Sequence, residues 1–182
     1  MSTQKAYYTA EDLMRISTQG KRFELVKGEL VEMAPTGGRH GRVASRIDYR
    51  LRGYVELHQL GEVFAAETGF RLARNPDTVR APDVAFVSKE RLPSEEQLVG
   101  FPDLVPDLVV EVVSPSDTAG RVQAKVEDWL RAGPRLVWVA YPDTRSVVVY
   151  RSLDEVGVLG PEDILPGEPV LPGFSCPVAD LF

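Results

Sequence analysis

The sequence predicts a mixed α/β protein (α+β in the sense of a mixed sheet), in which helices pack on the faces of a central β-sheet. Three observations predict it. The run DLVVEVV is rich in valine and apolar on both faces, as a strand in a sheet interior must be. Two other stretches carry apolar residues at three- and four-residue spacing, the signature of amphipathic helices. The order of elements is a hairpin, a helix, several strands, a helix and two more strands, a pattern that calls for one sheet with helices on it.

The bulk properties agree with a single domain over residues 1–182. The chain has 182 residues, 43% hydrophobic and 26% charged, enough to bury one continuous core and too apolar for a disordered chain. One cysteine, Cys176, excludes a disulfide scaffold, and with only two histidines it also excludes a Cys/His zinc site. The start, MSTQKAYYTAEDL, lacks the apolar core of a signal peptide, and no run is apolar and long enough to span a bilayer. A soluble, cytoplasmic protein with no membrane partner is expected. The net charge of −6 argues against indiscriminate coating of nucleic acid. Yet five arginines fall between Arg39 and Arg52, opposed there only by Asp48.

Along the chain, Thr9 and Asp12 form an N-terminal capping pattern for a short helix whose stripe is Leu13 and Ile16. RFELV and ELVEMAP flank Lys27-Gly28 and predict a tight β-hairpin. The glycine-rich turn PTGGRHG leads into a second helix with Val43, Ile47, Leu51 and Tyr54 on its buried stripe. Arg42, Arg46 and Arg50 recur every four residues on an adjoining face, either as a plain solvated face or as a row able to track phosphates.

GEVFAAETGFRLA and VRAPDVAFVS read as strands, SEEQL as one short helical turn, and DLVVEVV as the central strand. SPSDTAG opens a third helix, which Gly133-Pro134 closes. RLVWVAYP and RSVVVYR are two further strands around a Pro-Asp-Thr turn, and the tail is short elements and turns.

The common catalytic motifs are absent: no GxSxG, no GxxxxGK[ST], no HExxH, and no GxGxxG after a strand. What remains is a set of acids in unusual places. Period-two alternation puts Asp107, Val109, Glu111 and Val113 on one face of the valine-rich strand and Leu108, Val110 and Val112 on the other. A carboxylate there is costly unless it is paired, hydrogen-bonded or bound to a cation. Asp83 heads DVAFV in a similar setting, and acids on neighbouring strands can converge on a hard divalent cation. The plainer alternative is that Glu111 forms a structural ion pair with an arginine.

On the third helix Val122, Val126, Trp129 and Leu130 mark the apolar stripe, and Lys125 lies on the same side. A lysine there needs an acid nearby, the acid of the preceding strand, unless it snorkels to solvent. Asp, Glu and Lys from two strands and a helix make a plausible phosphate-cleaving set. His40 follows the glycine turn at a helix start whose backbone N–H groups could receive a phosphate, or it simply caps and packs.

These pieces, in order, resemble the Uma family described as "putative restriction endonucleases", formerly a domain of unknown function, within the PD-(D/E)XK nuclease superfamily. The resemblance is carried by FELVKGELVEMAP with His40, APDVAFVSKERL, PDLVVEVVSPSD, Lys125, AGPRLVWVAYPDTRSVVVYR and LPGFSCPVADLF. It implies a restriction-endonuclease-like fold, with Asp83 as the PD aspartate and Glu111 at the (D/E) position. The usual lysine two residues on is replaced by Val113, and the resemblance implies that Lys125 has taken its role. Glu24 matches an additional acidic position of the site; Asp107 and His40 match family positions as well, Asp107 with a structural role equally open.

The function so implied is a Mg²⁺- or Mn²⁺-dependent endonuclease hydrolysing phosphodiester bonds of nucleic acid, double-stranded DNA in the first instance, acting as a homodimer. Asp83, Glu111 and the Val112 carbonyl would hold the metal, Lys125 would stabilise phosphoryl charge, and His40, Arg42, Arg46 and Arg50 would contact nucleic acid. The alternative is a catalytically inactive nucleic-acid-binding or protein-interaction module on the same fold.

Overall fold

The computed structural model describes residues 7–17 and 21–182. The elements in chain order are α1 (Ala10–Ser17), β1 (Arg22–Val26), β2 (Glu29–Met33), α2 (Gly38–His58), β3 (Gly61–Ala65), β4 (Phe70–Ala73), β5 (Thr78–Arg80) and β6 (Val84–Ser88). After a loop-rich stretch come β7 (Leu108–Val112), α3 (Ala119–Ala132), β8 (Leu136–Tyr141), β9 (Ser146–Tyr150), β10 (Val156–Leu159), β11 (Ile164–Pro166) and β12 (Ser175–Pro177). They fall into two compact units.

The first unit comprises the described residues through Pro35 with Thr68–Ala81 and Pro93–Val105. Its sheet is antiparallel, in the order β2-β1-β5-β4. Lys27 and Gly28 both take positive φ, 50° and 79°, the paired left-handed turn that suits the twist of a two-residue hairpin. Any side chain at Gly28 would run into Tyr7, since a Cβ there would lie 2.6 Å from the Tyr7 Cβ. α1 begins with a reciprocal cap: Asp12 N–H donates to Thr9 Oγ1 at 3.1 Å and Thr9 N–H to Asp12 Oδ2 at 2.9 Å. Ala10 and Leu13 of that helix pack with Leu25 and Val79 into a small core, flanked by Phe23, Leu30 and Phe101.

The second unit comprises Thr36–Glu67, Pro82–Leu92 and Pro106–Phe182. Its sheet runs β10-β9-β8-β7-β6-β3. β7 and β8 are parallel, joined through α3, and the other neighbours are antiparallel, so the sheet is mixed. β7 is interior and buried along its whole length, as its valines require. Leu108, Val110 and Val112 face one large core with Val43, Ile47, Leu51 and Val55 of α2, Trp138 of β8 and the tail residues Leu171, Phe174 and Val178. α3 is capped by Thr118, whose hydroxyl accepts from Arg121 N–H, and ends at Gly133 with φ 102°, a conformation that glycine adopts without strain. β11 and β12 form a separate two-stranded ribbon.

The expectation of one sheet is corrected: the described strands form three. GEVFAAETGFRLA is not continuous, because Glu67 turns to φ 75° between β3 and β4. β4 then pairs with β5 in the first unit while β3 pairs with β6 in the second. VRAPDVAFVS likewise splits at Pro82, which has no N–H to give to a ladder. Among the described residues no helix is long and apolar enough to cross a membrane.

Candidate active site

Asp83 sits immediately before β6. The β6–β7 register pairs Val84 with Val110, and continued by one residue it would set Asp83 opposite Glu111. The ladder shifts there instead: Asp83 N–H donates to the Val110 carbonyl at 3.0 Å. The side chain then completes the strand pairing, since Val112 N–H donates to Asp83 Oδ2 at 2.7 Å. His40, in the first turn of α2, brings Nε2 to 3.2 Å from the same oxygen. No described donor reaches Oδ1, and the Asp83 side chain keeps 18% of its surface exposed.

The His40 ring is only 7% exposed. Burial alone would push its pKa down. Contact with the accepting Asp83 carboxylate and the charges of Asp83, Glu111 and Asp117 outweigh that, so the net shift is upward. Its Nδ1 is sealed from solvent without a hydrogen-bond partner.

Glu111, the next residue along β7 from Val112, is buried among valines and faces α3. Lys125 Nζ donates to its Oε2 at 2.8 Å, and Trp129 Nε1 donates to its Oε1 at 2.7 Å. Lys125 and Trp129 lie four apart on α3, one turn, so a single helix face supplies both donors. The sequence reading takes Trp129 only as part of an apolar stripe; its indole N–H is the polar handle that a buried tryptophan must satisfy. Nothing in the sequence pattern marks Asp117 either. It closes the β7–α3 turn, accepting from Ser114 N–H at 2.8 Å, and its charge reaches His40.

The structure therefore gathers Asp83, His40 and Val112 into one group, by an ion-pair contact and a hydrogen bond, and Glu111, Lys125 and Trp129 into a second that adjoins it along β7. Glu24 belongs to the other unit, where Arg80 Nη1 donates to its Oε2 at 2.6 Å and Ala81 N–H to its Oε1 at 3.0 Å. Asp107 lies at the opposite end of β7, almost fully buried, and accepts from Ser88 N–H at 2.8 Å and Arg91 Nη1 at 2.7 Å. Those bonds fasten the start of β7 to the end of β6 and to the turn that follows it. Arg42, Arg46 and Arg50 are all exposed along α2. Arg50 pairs with Asp180 at 3.0 Å, whereas neither Arg42 nor Arg46 has an ion-pair partner among the described residues.

Among the described residues no group of three or more His, Cys, Asp or Glu is placed to hold a metal ion. The donors present are the Asp83 and Glu111 carboxylates and the Val112 carbonyl, all hard oxygens. Mg²⁺ takes one or two carboxylates and keeps several of its waters, so this set suits a small hydrated cation and does not suit a soft-ligand site. The Oδ1 atom of Asp83, without a donor, is the oxygen best placed to serve it.

A mixed sheet flanked by helices, with acids at adjoining strand ends and a helical lysine upon one of them, is the restriction-endonuclease-like fold. The family model "Uma2: Putative restriction endonuclease" matches residues 10–179, and the chain belongs to that family. The crystal structure of a putative nuclease belonging to DUF820 from Anabaena variabilis ATCC 29413 is similar over 96% of this chain and 97% of that one, with a TM-score of 0.81. At 22% identity that likeness is one of fold. The search of curated proteins returned no match.

Proposed function

We propose that this chain is a divalent-metal-dependent endonuclease that hydrolyses phosphodiester bonds in DNA, with Asp83, Glu111 and Lys125 as its working residues. The observation that carries the reading is the Lys125 ammonium 2.8 Å from a carboxylate buried in a valine strand, within a chain of nuclease family. An acid in that strand has a high desolvation cost, which a hydrophobic residue of similar volume would avoid.

Asp83 through Oδ1, Glu111 and the Val112 carbonyl would hold Mg²⁺ or Mn²⁺. A bound ion supplies polarisation of the phosphoryl oxygen and a lowered pKa for the attacking water. Lys125 donates to the charge that develops on the phosphoryl oxygens, or positions that water. Trp129 keeps Glu111 from rotating away. The backbone N–H groups at the start of α2, which has no side-chain cap and no acid in its first turn, receive a flanking phosphate. Arg42, Arg46 and Arg50 follow the phosphate backbone. Glu24 enters through the likeness to the family alone, and its bonds to Arg80 and Ala81 give it a structural task besides. Two centres related by a two-fold axis would match the two strands of a duplex, an arrangement that a homodimer supplies.

Plasmid nicking with Mg²⁺ or Mn²⁺, compared between the parent and Glu111→Gln, tests the reading. The parent should nick and the variant should not, with circular dichroism unchanged. One observation favours a second reading, a binding module without catalysis: both Glu111 oxygens already have donors, as a structural ion pair would. A parent that binds DNA but cuts neither DNA nor RNA with either metal would establish that second reading.

A further inference from the structure

His40 carries an inference beyond the reading just given, and it rests on that reading's metal site. A histidine at a helix start near a nuclease centre suggests a hand for phosphate, but the ring here is buried and committed elsewhere. Its Nε2 lies 3.2 Å from Asp83 Oδ2, the oxygen that also accepts Val112 N–H at 2.7 Å. A hydrogen bond from β7 and an ion-pair contact from α2 thus meet on one oxygen of a carboxylate, while the other has no described donor.

We infer that His40 is a positioning residue: by holding Oδ2 it sets the rotation of the Asp83 carboxylate and presents Oδ1 to the cation. The physical reason is directional. With Val112 N–H as its only partner, the carboxylate could turn about its Cβ–Cγ bond and still keep that hydrogen bond through either oxygen. The imidazole held 3.2 Å from Oδ2 disfavours that turn. It also crowds Oδ2, which leaves Oδ1 as the oxygen open to a cation. Hydrogen-bond partners behind a metal-binding carboxylate act in this way, and their loss commonly weakens metal binding by ~10–100-fold. His40 reaches Asp83 from α2, whose Val43, Ile47 and Leu51 are seated in the large core, so the donor is held by packing.

The test is Mn²⁺ binding, by isothermal titration calorimetry, to the parent, Asp83→Asn, His40→Asn and His40→Gln, with thermal melting of each. The amide of Gln reaches far enough to donate to Asp83; that of Asn does not. His40→Asn should fold and bind Mn²⁺ ~10–100-fold more weakly. His40→Gln should recover most of the affinity. In nicking assays the KM for plasmid should stay near the parent value in His40→Asn while kcat falls, and raising Mn²⁺ should restore kcat.

If Asp83→Asn loses Mn²⁺ while His40→Asn binds as the parent does, the positioning role is overturned and the metal site stands. Equal loss in His40→Asn and His40→Gln, with folding intact, likewise overturns it, because the donor then does not matter. A KM effect that added Mn²⁺ does not relieve would return His40 to nucleic-acid contact. A parent without Mn²⁺ affinity overturns the metal reading, and this inference with it.

Discussion

Trp129 donates its indole N–H to Oε1 of Glu111 at 2.7 Å, and Lys125, one turn earlier on the same helix, takes Oε2 at 2.8 Å. The two donors differ in kind. The indole is neutral, fully buried and fixed by the core, whereas Lys125 is a flexible cation at 20% exposure. Trp129 can therefore hold Glu111 in place while Lys125 changes partner.

Trp129→Phe separates the donor from the ring. The variant keeps an aromatic side chain in the core but leaves Glu111 Oε1 without its N–H. A hydrogen bond to a charged group contributes ~1.5–3 kcal/mol. Urea denaturation should show a loss in that range, in addition to the smaller penalty of trimming a tryptophan. A midpoint equal to the parent's would mean the hydrogen bond contributes nothing.

Glu24 and Arg80 form a buried pair, at 2% and 9% side-chain exposure. Removing one partner of such a pair costs up to ~3–5 kcal/mol, less where other groups still compensate the remaining charge. Arg80→Met should be destabilising within that bound, while Glu24→Gln, which keeps an acceptor for Ala81 N–H, should cost less. Equilibrium unfolding of the two variants decides it. If Glu24→Gln leaves stability near the parent's yet removes nicking, Glu24 works in the reaction and not only in the fold.

Arg42 and Arg46 are exposed cations, and replacing both with Ala should change stability by no more than about 0.5 kcal/mol. In the proposed reading their effect is on nucleic-acid binding. Each phosphate contact contributes about 0.9 to the slope of log affinity against log salt, so losing both should flatten that slope by nearly two. Fluorescence anisotropy with a labelled duplex over a salt series measures it. An unchanged slope would make the arginine row a solvated helix face.

The alkaline limb of stability should report Tyr141, Tyr150 and Cys176. Burial raises all three pKa values, with Tyr150 adding to the shift at Tyr141. A pKa raised in the folded state gives stability that is complete below the unfolded value and is lost as pH rises through the folded one. The ordinary values are 9.0 for the thiol and 10.0 for the phenols, so the loss should begin above pH 9. Urea midpoints between pH 8 and pH 11 should fall less steeply in Tyr150→Phe.

Much of this architecture is legible from local pattern. The β1–β2 hairpin follows from Lys27-Gly28, α3 from its stripe and its Thr118 and Gly133 ends, and the interior place of β7 from its valines. Lys125 is legible too, since a lysine on an apolar stripe after a strand containing a carboxylate has few other partners. The division into separate sheets is not legible, because β3 and β4 read as one run and only their distant partners, β6 and β5, pull them apart. The His40–Asp83 contact is hidden for the same reason: a helix and a strand far apart in sequence must first pack. Trp129 was hidden differently, since an apolar stripe records the ring and says nothing of the N–H.

The bond between Val112 N–H and the Asp83 carboxylate also constrains how this protein can evolve. On the proposed reading two selective pressures meet on one side chain: one for a metal ligand, the other for the closure of a β-ladder. A lineage that abandons catalysis loses the first and keeps the second. Drift at residue 83 is then funnelled toward Asn, whose carbonyl still accepts from Val112, and away from Ala or Val, which would leave the strand end unpaired. A retired enzyme of this build should therefore look, in its sequence, almost like a working one.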